Sequence, residues 1–339
     1  MRRIDAFTHI WPEPFYRRLS EMLGTMSDIT RRSEAVPMMI DLETRLRIMD
    51  AFPGYEQILS LGSPPLDLVA TPQQAVDLSR IGSEGMAELC MRHPHRFPAF
   101  IASPPMNAEP ELLVAETRAA IEDFGACGVQ VYTNVGGVPL DHPDFLPFWD
   151  YMAEAGRPVW LHPARGAGMT DYASEKKSKY EIWWTFGWPY ESSAAMARLV
   201  FSGLFDRHPD LKIVTHHGGA MIPFFEGRVG YGWDVLGART SDEDYAAVLR
   251  GLKRRPLDYF RLYYADTALF GSEGGTRCAI DFFGADHVVF ATDAPFDPEG
   301  GSLFIRETIR LLDGMELSDA DRASIYYGNI GRLTGMDFS

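Results

Sequence analysis

The chain has 339 residues, of which 46% are hydrophobic and 23% are charged, and its formal net charge is −15 at pH 7. This composition is typical of a globular protein with a large core, and the length fits one α/β barrel. An acidic chain lacks the basic surface that nucleic acids and anionic membranes attract, so we expect neither as a partner.

The cysteines and the apolar runs indicate the cellular context. Cys90, Cys127 and Cys278 are far apart and form no CxxC pair, which argues against a disulfide framework or a zinc–thiolate site. The N-terminal segment MRRIDAFTHIWPEPF lacks the apolar run of a signal peptide. No stretch approaches the roughly 18 apolar residues that a membrane helix needs. We therefore expect a cytoplasmic protein.

Short β-branched or aromatic runs alternate along the chain with longer stretches of helical period, which is the pattern of repeated strand–helix units. The predicted strands are 3–7, 57–61, 98–102, 128–132, 158–162, 211–215, 261–265 and 287–291. The predicted helices include 71–93, 109–124, 145–155, 192–207, 274–283 and 302–312. This alternation predicts an α/β fold in which residues 1–339 form a single (β/α)8 barrel domain of TIM type.

Two connections between predicted elements are unusually long, one after the first strand and one after the fifth. They span residues 11–40 and 163–191, and the second is rich in aromatic residues. Long connections in compact domains tend to form lids or contact surfaces, so we interpret the aromatic segment as a pocket wall or a subunit interface. Trp183 and Trp184 are its candidate substrate-binding residues.

Four polar side chains fall at the ends of predicted strands. His9 lies two residues past the first strand, His162 ends the fifth, His216 follows the sixth, and Asp293 lies two residues past the eighth. In a barrel these strand ends meet at one face, where barrel enzymes build their sites. Each residue alone is compatible with a structural role, such as an aspartate in a turn. Four of them at one face predict a functional site.

The types of these four side chains indicate a metal. Imidazole and carboxylate groups suit Zn²⁺, with Mn²⁺ and Fe²⁺ as alternatives. We expect His9, His162, His216 and Asp293 to hold one divalent metal that keeps an open coordination position. The neighbouring His217 would point away from His216 if the backbone were still extended there.

Blocks along nearly the whole chain resemble one enzyme family. They are IDAFTHIWP, TRLRIMD, HPHRFPAFIASPPM, GACGVQVYTNVGG, WLHP, WPYESSAAMARLVFSGLFDRHPDLKIVTHHGGAMIPFFEGR, YYADTALF, VVFATDAPF and GNIGRL. Their order and spacing are similar to those of the amidohydrolase-2 group, in the branch of aminocarboxymuconate-semialdehyde decarboxylase and related non-oxidative decarboxylases.

The resemblance implies a role for each matching residue at the strand ends. His162 and Asp293 match the family's metal ligands on strands 5 and 8, and His9 matches the second histidine of a pair on strand 1. His216 matches the histidine of the HxGG segment, which acts as acid/base beside the metal in the decarboxylases. Asp293 is a second candidate for proton transfer.

The resemblance also implies substrate contacts and one departure. Arg228, in FFEGR, matches an arginine that binds a substrate carboxylate, in some members across a subunit interface, so a homodimer is expected. Arg32 is a candidate for a second carboxylate contact. Phe7 stands where the family has histidine or glutamate, and phenylalanine cannot bind a metal. Three protein ligands and water still make a catalytic site; weaker binding, a different metal or a lost metal are the alternatives.

The leading hypothesis for function is the metal-dependent loss of CO₂ from a small unsaturated or aromatic carboxylic acid. In this hypothesis His216 delivers a proton, Arg228 binds a carboxylate, and the metal acts as a Lewis acid. One alternative is hydrolysis of a lactone or amide, or hydration of a double bond, by metal-activated water. The other is a barrel that binds a small acid without catalysis.

Overall fold

Eight parallel strands form the centre of the fold in the computed structural model, which describes residues 1–23 and 28–338. They are β1 (Arg3–Ile10), β2 (Tyr55–Leu61), β3 (Ala99–Ala102), β4 (Gly128–Tyr132), β5 (Val159–His162), β6 (Ile213–Thr215), β7 (Tyr264–Asp266) and β8 (Val288–Val289). Each strand pairs with the next in parallel. The chain after β8 returns to β1, since Ala6 N donates to Phe290 O at 2.8 Å and His9 N donates to Ala294 O at 2.8 Å. The (β/α)8 prediction is confirmed.

Helices surround this barrel. The longer ones are Glu13–Met22, Pro72–Arg92, Pro110–Glu122, Leu146–Ala155, Gly187–Phe201, Glu273–Phe283 and Leu303–Gly314. The shorter ones are Asp28–Glu34, Pro37–Ile40, Leu42–Met49, Leu66–Val69, Ile182–Thr185, Leu204–Arg207, Glu226–Trp233, Tyr245–Gly251, Pro256–Phe260, Asp319–Ala323 and Asn329–Thr334. The segment His216–Gly219 is a turn rather than a regular helix, because His217 and Gly218 have non-helical dihedral angles. Single turns of 3₁₀ helix lie at Pro143–Phe145 and Ala285–His287, a π-helical turn lies at Ser324–Gly328, and a small hairpin joins Asn134–Val135 to Val138–Pro139.

Some boundaries differ from the prediction for local reasons. The helix predicted over 192–207 begins earlier and breaks after Phe201, because Gly203 adopts φ 75° and starts a second helix at Leu204. The connection predicted over 11–40 contains helices among its described residues rather than an irregular loop. That the whole chain is one domain stays a prediction. None of the helices in the described part of the chain has the length and apolarity needed to cross a bilayer.

The core has an inner and an outer layer, because successive side chains of a strand point to opposite faces. Ile58 belongs to the cluster inside the barrel, while its neighbour Leu59 packs with the surrounding helices. Ile4, Ile101 and Val289 are also buried in the inner cluster. Apolar side chains thus fill both layers, although buried polar side chains such as Asp5 and Gln57 also lie within the strands.

Candidate active site

His9 is held in one orientation by the hydroxyl of Ser60 on β2. Ser60 Oγ donates to Thr8 O at 2.9 Å, so it accepts from Nδ1 of His9, which lies 3.0 Å away. This bond places the proton of the neutral ring on Nδ1 and leaves the lone pair on Nε2. His9 is completely buried, and its Nε2 has no hydrogen-bond partner.

His162 and His216 are oriented in the same way by other acceptors. His162 Nδ1 donates to the carbonyl of Pro163 at 2.8 Å. His216 Nδ1 donates to Oδ2 of Asp266, a buried residue at the end of β7. Each bond leaves Nε2 as the free nitrogen, which is the arrangement that orients histidines for binding a metal.

A tight turn after β6 brings His217 beside His216. His217 has φ 57°, and Gly218 and Gly219 continue with φ 64° and 77°. A Cβ at Gly218 would approach Leu269 to 2.6 Å, so the close packing and the positive φ both favour glycine there. The ring centroids of His216 and His217 lie 3.8 Å apart. The backbone is not extended at His217, so the condition under which it would point away from His216 is not met, and both rings face the site.

Asp293 connects these side chains. Its Oδ1 lies 3.1 Å from Nε2 of His9 and 3.4 Å from Nε2 of His216, and its Oδ2 lies 3.6 Å from Nε2 of His217. Asp293 has φ 61°, a conformation that aspartate tolerates better than most residues and that is enriched at functional sites.

Phe7 lies among the histidines. Its ring centroid is 4.6 Å from that of His216, 4.9 Å from that of His9 and 5.9 Å from that of His162. Phe7 therefore occupies space at the site itself but offers no ligand atom, so any metal here depends on the other side chains.

Burial and the shared carboxylate set the pKa values of the site. Burial lowers the pKa of His9 and of His217. It lowers the pKa of His162 to well below the usual range. Burial opposes the charge on His216 as well, but Asp266 and Asp293 outweigh it and raise the pKa of His216 to about 10. Without a metal, Nε2 of His216 therefore carries a proton, which a bound cation would displace. Burial would raise the pKa of Asp293, yet its contacts with His216, His217 and His9 hold it well below its usual range. The carboxylate is therefore ionised and attracts cations.

These side chains fit a divalent metal. Ligand atoms of His9, His162 and His216 lie within 4.8 Å of one another, and so do those of His216, His217 and Asp293. Buried Nε2 atoms without a partner are rare in native structures, and a cation would satisfy those of His9 and His216. The structure thus brings together all four predicted ligands.

A cavity of about 410 Å³ opens above this cluster. Asp293, His162 and His217 line it together with aromatic and aliphatic side chains. Arg32 also lines it, with its guanidinium 4.9 Å from the ring centroid of Trp184 and Nη2 donating to the carbonyl of Phe296 at 3.3 Å. Two predicted substrate contacts, Arg32 and Trp184, therefore reach the cavity.

The other two predicted substrate contacts lie outside this cavity. Trp183 is buried behind Trp188, with ring centroids 5.7 Å apart, and it lines a separate cavity of about 270 Å³. Arg228 is exposed and lines a third cavity of about 600 Å³ with Phe225 and Trp233. Within one chain, Arg228 therefore does not reach the cavity above the histidines.

Sequence reasoning missed three residues of the site, namely Ser60, Asp266 and His217. Ser60 and Asp266 orient His9 and His216 from neighbouring strands, and a single sequence carries no signal of such a pairing. For His217, the two glycines that follow it were a usable signal for a turn.

Comparisons with known proteins agree with this geometry. A family model described as amidohydrolase matches residues 4–335. The gamma-resorcylate decarboxylase of Rhizobium radiobacter is 30% identical over 88% of this chain and 89% of its own length. The 2-amino-3-carboxymuconate-6-semialdehyde decarboxylase of Dictyostelium discoideum is 28% identical over 99% of this chain and 92% of its own. The structure of a dihydroxybenzoic acid decarboxylase from Polaromonas sp. JS666, with bound manganese and the inhibitor 2-nitroresorcinol, is 25% identical, covers 98% of this chain and 97% of its own, and has a TM-score of 0.77.

Proposed function

The chain belongs to the amidohydrolase family of enzymes, and from this premise we propose that it is a metal-dependent non-oxidative decarboxylase of a small aromatic or unsaturated carboxylic acid. The observation that supports this most is the convergence of three oriented histidines and Asp293 beneath a largely apolar cavity. The decarboxylase names of the relatives support it independently.

His9, His162, His216 and Asp293 would hold the metal. When bound, a divalent metal supplies Lewis-acid stabilisation of negative charge on the substrate. The chain's own residues keep each free Nε2 in place through Ser60 and the other acceptors. A histidine of the His216–His217 pair would deliver the proton, and the prediction from the sequence assigns this role to His216.

The cavity walls would bind the acid and favour loss of its charge. Trp184, Trp188, Phe270 and Phe296 give the cavity an aromatic lining, against which an aromatic ring packs well. Arg32 would bind an acidic group of the substrate by a charge-assisted hydrogen bond. An apolar surrounding disfavours a carboxylate relative to neutral CO₂.

We expect Zn²⁺ from the donor types, with Mn²⁺ and Fe²⁺ as alternatives. The manganese in the Polaromonas structure makes Mn²⁺ the second metal to test. Metal analysis of protein purified without chelator, followed by reconstitution of chelated protein with each metal in turn, identifies the ion that restores activity.

The proposed function is tested by measuring CO₂ release from a panel of acids. The panel includes 2,6-dihydroxybenzoate, 5-carboxyvanillate and 6-methylsalicylate, which are substrates in the names of similar proteins. We expect at least one acid of this chemical class to lose CO₂ in the presence of metal and none to do so after chelation. Metal-loaded protein that releases no CO₂ from any of them would contradict the proposal.

We further propose a homodimer in which Arg228 of one subunit serves the site of the other. Exposed aromatic side chains near the Arg228 cavity support this, since Phe224, Tyr231 and Tyr190 are 79%, 78% and 57% exposed and such patches mark interaction surfaces. Mixing inactive Arg228→Met and Asp293→Asn subunits should restore about a quarter of the activity, because half of the random dimers contain one complete site. A monomer in solution, or no restoration, would contradict this. A cytoplasmic location stays a prediction of the sequence.

A further inference from the structure

The two adjacent histidines of the site differ in what they can reach. His216 is completely buried and does not line the cavity, whereas the side chain of His217 is 12% exposed and lines it. A substrate in the cavity would therefore meet His217 before it could meet His216.

The two carboxylate oxygens of Asp293 face different histidines. Oδ1 faces the Nε2 atoms of His9 and His216, at 3.1 and 3.4 Å, which are the buried nitrogens without a partner. Oδ2 faces Nε2 of His217 at 3.6 Å, too far for a hydrogen bond. One side of the carboxylate is thus suited to a metal, and the other side leaves a histidine nitrogen free toward the cavity.

Asp266 restricts His216 to the metal side. Its Oδ2 accepts from His216 Nδ1, while its Oδ1 accepts from the backbone N–H groups of Gly218 at 3.0 Å and Ala268 at 3.1 Å. A carboxylate anchored at both oxygens holds the imidazole in one orientation and one tautomer. His216 can then offer only Nε2, which points to the same oxygen of Asp293 as His9 does.

Phe7 adds a reason for His216 to be a ligand. Phe7 offers no ligand atom, and its ring is 4.6 Å from that of His216. Nε2 of His216 lies beside the position where Phe7 provides no ligand atom. With His216, the cluster therefore still offers three histidine nitrogens and one carboxylate to a metal.

His217 is held with its ring toward the cavity. Its positive φ places it there, and the rings of Trp188 and Phe270 flank it with centroid distances of 6.3 and 5.8 Å. Both aromatic residues line the same cavity. A planar acid in the cavity would thus lie against these rings with its reacting carbon near His217.

We propose that the two adjacent histidines have different roles. His216 binds the metal together with His9, His162 and Asp293. His217 faces the substrate and protonates it. This rests on the proposed decarboxylation. In that step the carbon that carries the carboxylate takes a proton from His217, the carbon–carbon bond to the carboxylate breaks, and its electron pair returns to the substrate. CO₂ leaves, and a proton from water restores His217.

The test compares His217→Asn with His216→Asn and Asp266→Asn. Asp266→Asn keeps His216 and a carbonyl oxygen for the backbone donors but removes the acceptor for Nδ1, so it serves as a second variant if His216→Asn folds poorly. Mn²⁺ bound per chain is measured by elemental analysis after desalting, and thermal unfolding checks that each variant is folded. Turnover and exchange of the product's C–H with D₂O are measured on the acid that the unmutated enzyme converts best.

We expect His217→Asn to keep its Mn²⁺ and to lose about 100-fold or more in kcat and in C–H exchange, the contribution of a positioned acid. Asp266→Asn should bind Mn²⁺ about 10- to 100-fold more weakly, and His216→Asn, which removes a proposed ligand, should bind it at least as weakly. Both variants should therefore retain less Mn²⁺ per chain after desalting. Equal loss of Mn²⁺ from the His216 and His217 variants would overturn this assignment of roles, and so would turnover by His217→Asn close to that of the unmutated enzyme. Metal content is measured without substrate, so an unmutated enzyme that binds Mn²⁺ but releases no CO₂ contradicts the proposed function instead.

Discussion

The inner layer of the barrel and its mouth are built on the same strands but satisfy opposite requirements. Ile4 and Ile58 are completely buried among apolar neighbours. A few residues further along β1, His9 is equally buried but has an Nε2 without a hydrogen-bond partner. An unpartnered buried polar group costs about 1–3 kcal/mol. The same strands therefore stabilise the fold in the inner layer and position reactive groups at the mouth. Substitutions in the inner layer should change stability, and substitutions at the mouth should change metal binding and turnover.

The largest expected effect is at the mouth. Asp293→Asn removes the negative charge to which His9, His216 and His217 all point, so kcat/KM should fall about 1000-fold, or about 4 kcal/mol. The variant should stay folded with a lower melting temperature, because the lowered pKa of Asp293 indicates that its carboxylate also stabilises the folded chain. Steady-state kinetics and calorimetry check this, with Asp286→Asn, on the exposed Asp286, as the control. A variant that is inactive because it is unfolded would contradict the separation of the layers.

The next largest effect is in the inner layer. Ile101→Ala removes a completely buried side chain from the barrel interior and should lower the free energy of unfolding by about 2–5 kcal/mol. Metal content and kcat at a temperature where the protein is folded should stay unchanged. Leu112→Ala, at a side chain that is 37% exposed, is the matched control and should cost much less. Loss of metal by Ile101→Ala would show that the layers are coupled.

A smaller effect is expected at the cavity wall. Arg32→Met keeps an unbranched side chain beside Trp184 but removes the charge and its cation–π contact, so KM for an acidic substrate should rise about 10- to 100-fold, as for a lost charged hydrogen bond. The KM of Arg32→Lys should lie between that of the unmutated enzyme and that of Arg32→Met, because lysine keeps the charge without the planar guanidinium. Arg18→Met, at the helix surface, is the control. An unchanged KM for Arg32→Met would contradict the proposal that Arg32 binds the substrate.

The smallest effect concerns the orientation of His9. Ser60→Ala removes the acceptor of its Nδ1 proton, and the affinity for metal should fall about 10-fold. Competition with a chelating dye measures this affinity. Ser83→Ala removes a buried hydroxyl that has no partner and is remote from the cluster, so it should leave the affinity unchanged. Equal effects of the two substitutions would contradict the role of Ser60.

The barrel and the four residues at the strand ends could be predicted from the sequence. Strand–helix alternation is a local property, and parallel strands bring their carboxyl ends to one face, so the order of residues along the chain was enough to place His9, His162, His216 and Asp293 together. The blocks shared with the amidohydrolase-2 group added the chemistry, which the family match supports.

Packing between distant segments sets which nitrogen His9 and His216 present and which side chains face the cavity. The partners Ser60 and Asp266 come from neighbouring strands, and their contact depends on strand register rather than on local sequence. His217 enters the site through a turn in which His217, Gly218 and Gly219 all have positive φ. Arg228 lies at a different cavity from Arg32 because the helix that carries it packs on the outside of the barrel. Periodicity predicts which elements form, but hydrogen-bond partners and cavity walls arise from packing between distant segments.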